Sequence, residues 1–238
     1  MGSIFDLDGK FMHFANKFAD LMWLNILTLV CCLPIFTIGA SLTAMHYVTL
    51  RIYRNEESYI SRDFFKSFRE NFKQSTGLWL IFAAFILLLA ADYWAIFKSG
   101  IEIHSFFKYA LGFVGLLGVF TLSWVFVLQS RYRNTIRGTI KNAIVVGTSH
   151  FAYSIMMLLL AAIPVLLLYL FTMAVPFVFL FGFTVPALLQ CMLYSRVFDR
   201  MEGIDRKAEA QKPDDGWTVE LEEQEQTENV GQNNEINE

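Results

Sequence analysis

Residues 151–195, FAYSIMMLLLAAIPVLLLYLFTMAVPFVFLFGFTVPALLQCMLYS, run for 45 positions without a charged side chain. Hydrocarbon about 30 Å thick is crossed by roughly 20 apolar residues in helical form. The run is therefore too long for one span, and Thr172–Pro176 is its natural break. It reads as two helices, about 151–171 and 176–195. Inside hydrocarbon every backbone polar group must be satisfied within the segment, so such runs are helices and not open strands.

Upstream, residues 109–129 are uncharged throughout, and residues 77–97 are uncharged except for Asp92. Residues 21–50 form a further 30-residue uncharged run that contains Leu33-Pro34 and Thr37-Ile38-Gly39-Ala40-Ser41. Proline disfavours helix at the residue before it, and Gly followed by small polar residues suits a break and a new helix start. Two arrangements stay open: one span near 21–43, or a hairpin of helices at about 14–33 and 37–53. The fold class is all-α, a polytopic membrane bundle of five or six transmembrane helices.

Composition agrees. The chain of 238 residues is 55% hydrophobic and 17% charged, with mean hydropathy +0.43, against about 45–50% apolar and about 25% charged for soluble domains. An ordinary soluble enzyme, a disulfide scaffold and a wholly disordered chain are excluded. The net charge of -3 conceals a split. Residues 202–238 hold 12 of the 22 acids and 3 of the 19 Lys/Arg, a net of −9, which leaves +6 on residues 1–201. The first 201 residues are the membrane domain. The Glu/Gln/Asn-rich remainder, with Trp217 and Val219 as its apolar cluster, cannot bury enough surface to fold and reads as a disordered cytoplasmic tail.

Lys/Arg placement orients the body by the positive-inside rule. Five spans with an outside N-terminus put 15 Lys/Arg inside against 4; six spans with an inside N-terminus put 17 against 2. Both arrangements place residues 51–75, residues 131–150 and the C-terminus in the cytoplasm of a multi-pass plasma-membrane protein. The apolar run begins only after Asp20, so no cleavable leader is expected.

The expected cytoplasmic segment 61–75, SRDFFKSFRENFKQS, is the clearest amphipathic stretch. At about 100° per residue, Phe64, Phe65, Phe68 and Phe72 share one face, and Arg62, Lys66, Arg69 and Lys73 the opposite one. Such a helix lies in the membrane interface with rings among acyl chains and cations among headgroups, or it docks a partner membrane protein. The phrase returns weakly: residues 68–74 and 136–142 both read apolar–Arg–x–x–apolar–Lys–amide, which suggests repeated units of amphipathic segment plus hairpin.

No catalytic, cofactor or metal site emerges. Asp92 is the one acid inside a span and hence a candidate intramembrane polar site, but Tyr93, Trp94 and Lys98 beside it describe an interfacial belt. Gly112, Gly115 and Gly118 lie mid-span and suit close helix packing. Gln129 and Gln190 near span ends suit bonds to neighbouring helices. The histidines lack HExxH spacing or a carboxylate cluster, adjacent Cys31-Cys32 cannot form a metal knuckle, and no serine sits in a nucleophile motif.

The stretch Leu33-Pro34-Ile35-Phe36-Thr37-Ile38-Gly39-Ala40-Ser41, then His46-Tyr47-Val48-Thr49-Leu50 and the run from Tyr59 to Gln74, resembles the YesL family, as do Ser130-Arg131-Tyr132 and Lys141-Asn142-Ala143. The resemblance covers roughly residues 10–200. It implies a small membrane protein of Gram-positive bacteria, of unknown function and linked to carbohydrate utilisation, with a sugar importer or sensor kinase as partner beside the bilayer. It carries over no catalytic residue. The expected role is a non-enzymatic accessory or regulatory component, the alternative a transporter or permease subunit; no nucleic acid is expected.

Overall fold

The computed structural model describes residues 4–56, 59–98, 105–171, 173 and 175–203. Chain contacts divide it into two units, Met1–Ser195 and Arg196–Glu238. The described residues are all-α: α1 (Ile4–Cys32), α2 (Ile38–Tyr53), α3 (Ile60–Lys98), α4 (Ser105–Arg131), α5 (Ile136–Ser149), α6 (Phe151–Leu170), α7 (Val175–Phe181) and α8 (Thr184–Glu202). α3, α4 and α6 are long and apolar enough to cross a bilayer, and a fourth crossing results if the α7–α8 pair, bent by 47°, counts as one. In the second unit the described part is the end of α8. The acidic tail expected over 202–238 lies, from residue 204 onward, outside the described residues.

α1 ends one residue before Leu33-Pro34. Pro34 sits at φ -74° and ψ 115°, extended, and Ile35–Thr37 form one 3-10 turn. Thr37 closes the α1 terminus: its Oγ1 donates to the Cys31 and Pro34 carbonyls, at 2.6 Å each. The Cys31 carbonyl is one that the helix end leaves without an internal donor. α2 then returns through the centre of the first unit, packed by α1, α3 and α4. Eleven of its residues are buried; Thr43 and Thr49 bond within the helix, on Gly39 O (2.9 Å) and Met45 O (2.8 Å), and Ser41 Oγ donates to Thr28 O of α1 (2.9 Å). Gly39 permits the closest approach. A Cβ there would stand 2.7 Å from the Trp79 Cβ and also overlap the Ser75 carbonyl.

Register contacts show what α2 packs on. Arg51 meets Asp63 at 2.8 Å and Thr43 meets Ser75 at 3.0 Å, so α2 runs antiparallel along the charged half of α3. α4 takes up the rest of α3, with the Phe126 and Trp79 rings 6.5 Å apart and Gly115 against Leu89. α5 folds back on α4: Thr135 Oγ1 caps it by accepting from Gly138 N at 3.2 Å, and Gly147 lies against Trp124. At the α5–α6 corner, Ser154 Oγ donates to Gly147 O and accepts from Trp124 Nε1, both at 2.8 Å.

The structure departs from three expectations. The segment 61–75 is not a separate helix: α3 is one continuous helix of 39 residues, about 58 Å long at 1.5 Å per residue. Nothing in Ser75-Thr76-Gly77 interrupts it, since a lone helical glycine costs only about 1 kcal/mol. The segments 68–74 and 136–142 are accordingly not equivalent parts of a repeat, one lying inside α3 and the other opening the 14-residue α5. The span expected at 176–195 is interrupted at Gly182-Phe183. The break is held from α1. Asn25, fully buried, donates to Phe179 O (2.7 Å) and accepts from Phe183 N (2.9 Å) and Thr184 N (3.1 Å), which satisfies the end of α7 and the start of α8 together.

Candidate functional site: a basic, aromatic ridge on the first half of α3

The period of residues 60–76 divides two surfaces, and the inner one is core. Phe64 is fully buried among Leu21, Leu24, Met45, Val48, Ile52 and Ile60 of α1–α3. Its ring stacks on Phe68 at 6.1 Å and meets Phe65 edge-on at 5.6 Å. Phe68 and Phe72 are half-buried and Phe65 is exposed. The reading in which all four rings enter acyl chains is therefore corrected for Phe64. Helical period identifies an apolar face, and here protein covers it.

The outer surface carries the cations. Arg62, Lys66, Arg69 and Lys73 are all exposed, and none has an acidic partner among the described residues. The acids interleaved with them are taken by neighbours: Asp63 by Arg51 of α2 at 2.8 Å, and Glu70 by Arg133 beyond α4 at 3.0 Å. Aromatic side chains flank the same end. Trp23 and Tyr59 are exposed, and Trp23 Nε1 donates to Ser61 Oγ at 2.8 Å. Two shallow clefts of about 610 and 590 Å³ lie here, the first walled by Phe65, Lys66 and Arg69, the second by Trp23, Tyr59 and Arg62. Exposed Trp, Tyr and Arg together have the composition of binding hot spots.

α3 sets this ridge apart from its apolar half. Past the polar Gln74-Ser75-Thr76, that half starts at Gly77, 15 residues or about 22 Å along the axis from Arg62 and about 6 Å from Lys73. A headgroup layer adds only about 5–8 Å per side. Where the apolar half of α3 crosses a bilayer along its normal, a helix continuous with it projects from the interface instead of lying flat in it.

A buried relay of side chains clasps the ridge to α4 and α5. Thr139 Oγ1 donates to Gln129 Oε1 (3.1 Å), Gln129 Nε2 to Asn71 Oδ1 (3.1 Å), and Asn71 Nδ2 to Ser67 O (3.0 Å). Gln74 Nε2 donates to Asn134 O in the α4–α5 connection. A polar cleft of about 200 Å³ opens beside the relay between Lys66, Arg131 and Arg133. The signal for the relay in sequence is the amides at the ends of apolar runs, Gln129 above all. Asp92 stands apart, exposed on the far half of α3 among exposed Tyr93 and Trp94, with Lys98 Nζ 4.8 Å from the Trp94 ring centre. Among the described residues no group of three or more His, Cys, Asp or Glu is placed to hold a metal ion.

Fold and site together define a multi-pass helical membrane protein with a basic, aromatic ridge at one end of its longest helix. Residues 21–93, from α1 through α2 to the far half of α3, match the family model described as "Protein of unknown function, DUF624", the domain of YesL-type proteins. No curated protein and no solved structure matches the chain.

Proposed function

We propose that the protein is a non-enzymatic accessory or regulatory component of a plasma-membrane system for carbohydrate uptake or sensing, and that the ridge is its docking surface for an importer subunit or sensor kinase. The observation that carries this reading is the continuity of α3, which sets the exposed Arg62, Lys66 and Arg69 two turns or more ahead of its apolar half, on a base fixed by Phe64 and the Gln129 relay. Four exposed cations call for an acidic partner surface, and Trp23, Tyr59 and Phe65 supply contact area. The Lys/Arg distribution supports a cytoplasmic ridge, and the carbohydrate link rests on the YesL resemblance.

Affinity purification of the intact protein from native membranes, after mild crosslinking, tests the proposal. The expected result is a stoichiometric importer subunit or kinase that is lost when Arg62, Lys66, Arg69 and Lys73 are all changed to Glu. Sugar flux through liposomes containing this protein alone would overturn it in favour of a transporter or permease subunit.

A further inference from the structure

The polar cleft of about 200 Å³ beside the relay lies where the first half of α3 meets the end of α4 and the connection to α5. Three cations line it among the described residues: Lys66 from α3, Arg131 from the last turn of α4 and Arg133 from the connection. Glu70 is the one carboxylate on the same wall, and Arg133 holds it at 3.0 Å. The cleft therefore carries an excess of two positive charges.

The rest of the lining is polar and partly buried, with Ser67 3% and Gln129 4% exposed. The side-chain carbonyls there already accept bonds: Asn71 Oδ1 from Gln129 Nε2 and Gln129 Oε1 from Thr139 Oγ1, both at 3.1 Å. At the end of α4, Val127 O takes the Ser130 hydroxyl at 2.7 Å and Leu128 O takes Tyr132 N at 2.8 Å. Donors remain, because an amide carries two N–H groups and a hydroxyl that accepts keeps its own O–H to give. Ser67 Oγ is such a hydroxyl, accepting from Asn71 Nδ2 at 3.4 Å.

Converging cations, committed acceptors and remaining donors select an anion. Arginine forks match the oxygens of phosphate and pair with them bidentately. The volume falls below the roughly 300 Å³ at which pockets for drug-sized ligands begin, which admits a phosphate group and little attached to it. The uncharged run of α4 ends at Gln129, so Arg131 follows directly on the apolar stretch, at the level where headgroups begin. Basic pockets between spans on the cytoplasmic side are where phosphate headgroups bind.

We propose that this cleft binds a terminal phosphate group, dianionic above its second pKa of about 6, held by Lys66, Arg131 and Arg133. The phosphate is that of a phosphatidic acid headgroup or one dissolved beside the membrane; the chemistry recognised is the same. Of the ridge cations the site uses Lys66 alone, so it stands independently of what docks on Arg62, Arg69 and Lys73.

The test uses the full-length protein in nanodiscs of phosphatidylcholine, with or without phosphatidic acid of the same acyl chains. Retained lipid is counted by native mass spectrometry, and inorganic phosphate is titrated calorimetrically into the phosphatidylcholine nanodiscs against chloride at equal ionic strength. We expect saturable binding of one phosphate group per protein. Retention of phosphatidic acid without uptake of inorganic phosphate assigns the lipid as its source, and uptake of inorganic phosphate assigns the dissolved one. Either binding should weaken about tenfold in Lys66→Gln and in Arg133→Gln, each removing one charge-assisted hydrogen bond. The Arg133 side chain is exposed, so its replacement keeps the fold. Lys141→Gln, which removes an exposed cation outside the cleft, should leave binding unchanged. Binding of neither probe above the phosphatidylcholine and chloride controls, or equal effects of Lys141→Gln and Arg133→Gln, would overturn the proposal.

Discussion

Phe64 separates two readings of one sequence pattern. On an interfacial helix its ring faces acyl chains, and truncation to Ala costs the fold little. In the structure the ring is fully buried between three helices, with Phe68 stacked 6.1 Å away. Truncating a buried Phe removes its packing and leaves a cavity, at a cost of about 3–5 kcal/mol. Rigid helix backbones on every side limit collapse, and the stacked Phe68 loses about 0.5–1.5 kcal/mol of aromatic pairing within that total. Phe65, its neighbour on the same amphipathic stretch, is 40% exposed, so the same truncation there should cost about 1–2 kcal/mol, roughly in proportion to the area it buries. The assay is equilibrium unfolding of the purified protein in mild-detergent micelles titrated with SDS, followed by far-UV circular dichroism and Trp fluorescence. We expect Phe64→Ala to exceed Phe65→Ala by about 2 kcal/mol, an order-of-magnitude margin taken from those two costs. Equal effects, or a loss below about 1 kcal/mol for Phe64→Ala, would refute the placement of this ring in the core.

Three further outcomes follow from the same geometry. Asn25→Leu keeps the branched outline but strips three hydrogen bonds from the α7–α8 break, and should cost about 2–4 kcal/mol in the same titration, with new protease sensitivity near Gly182. Gln129→Leu takes the Gln129 partner from the half-buried Asn71 Oδ1 and the buried Thr139 hydroxyl and should cost about 1–2 kcal/mol, whereas Arg133→Gln, which breaks an exposed pair, should fall within about 0.5 kcal/mol of wild type. Gly39→Ala drives a methyl into the Trp79 side chain and the Ser75 carbonyl, so folded yield by size-exclusion chromatography should collapse, while Gly112→Ala, where a Cβ meets nothing within 4 Å, should leave it unchanged.

Much of the helical architecture is legible in the chain because its signals are local. Uncharged runs of bilayer length mark α4 and α6, and Leu33-Pro34 marks the end of α1, since a proline and its predecessor act on their own backbone. What escapes is what depends on a distant residue. The break at Gly182-Phe183 is capped by Asn25, more than 150 positions upstream, and no local pattern announces it. The fate of the Phe face of α3 is hidden for another reason. Lipid tails and neighbouring helices are equally apolar, so the period tells that a face exists and not what covers it. The cations of the ridge are legible by number and position; their separation from the lipid depends on α3 continuing unbroken through Ser75-Thr76-Gly77.

The central claim is that the first half of α3 faces a protein on the cytoplasmic side. Photoreactive amino acids placed singly at Arg62, Lys66 and Arg69 in native membranes test it most directly. We expect one protein adduct of constant mass from all three positions, with none from the buried Phe64 position or from Leu88 on the far half of the helix. Adducts to lipid alone from Arg62 and Lys66, or labelling of these sites from outside the cell by a membrane-impermeant reagent, would contradict the claim.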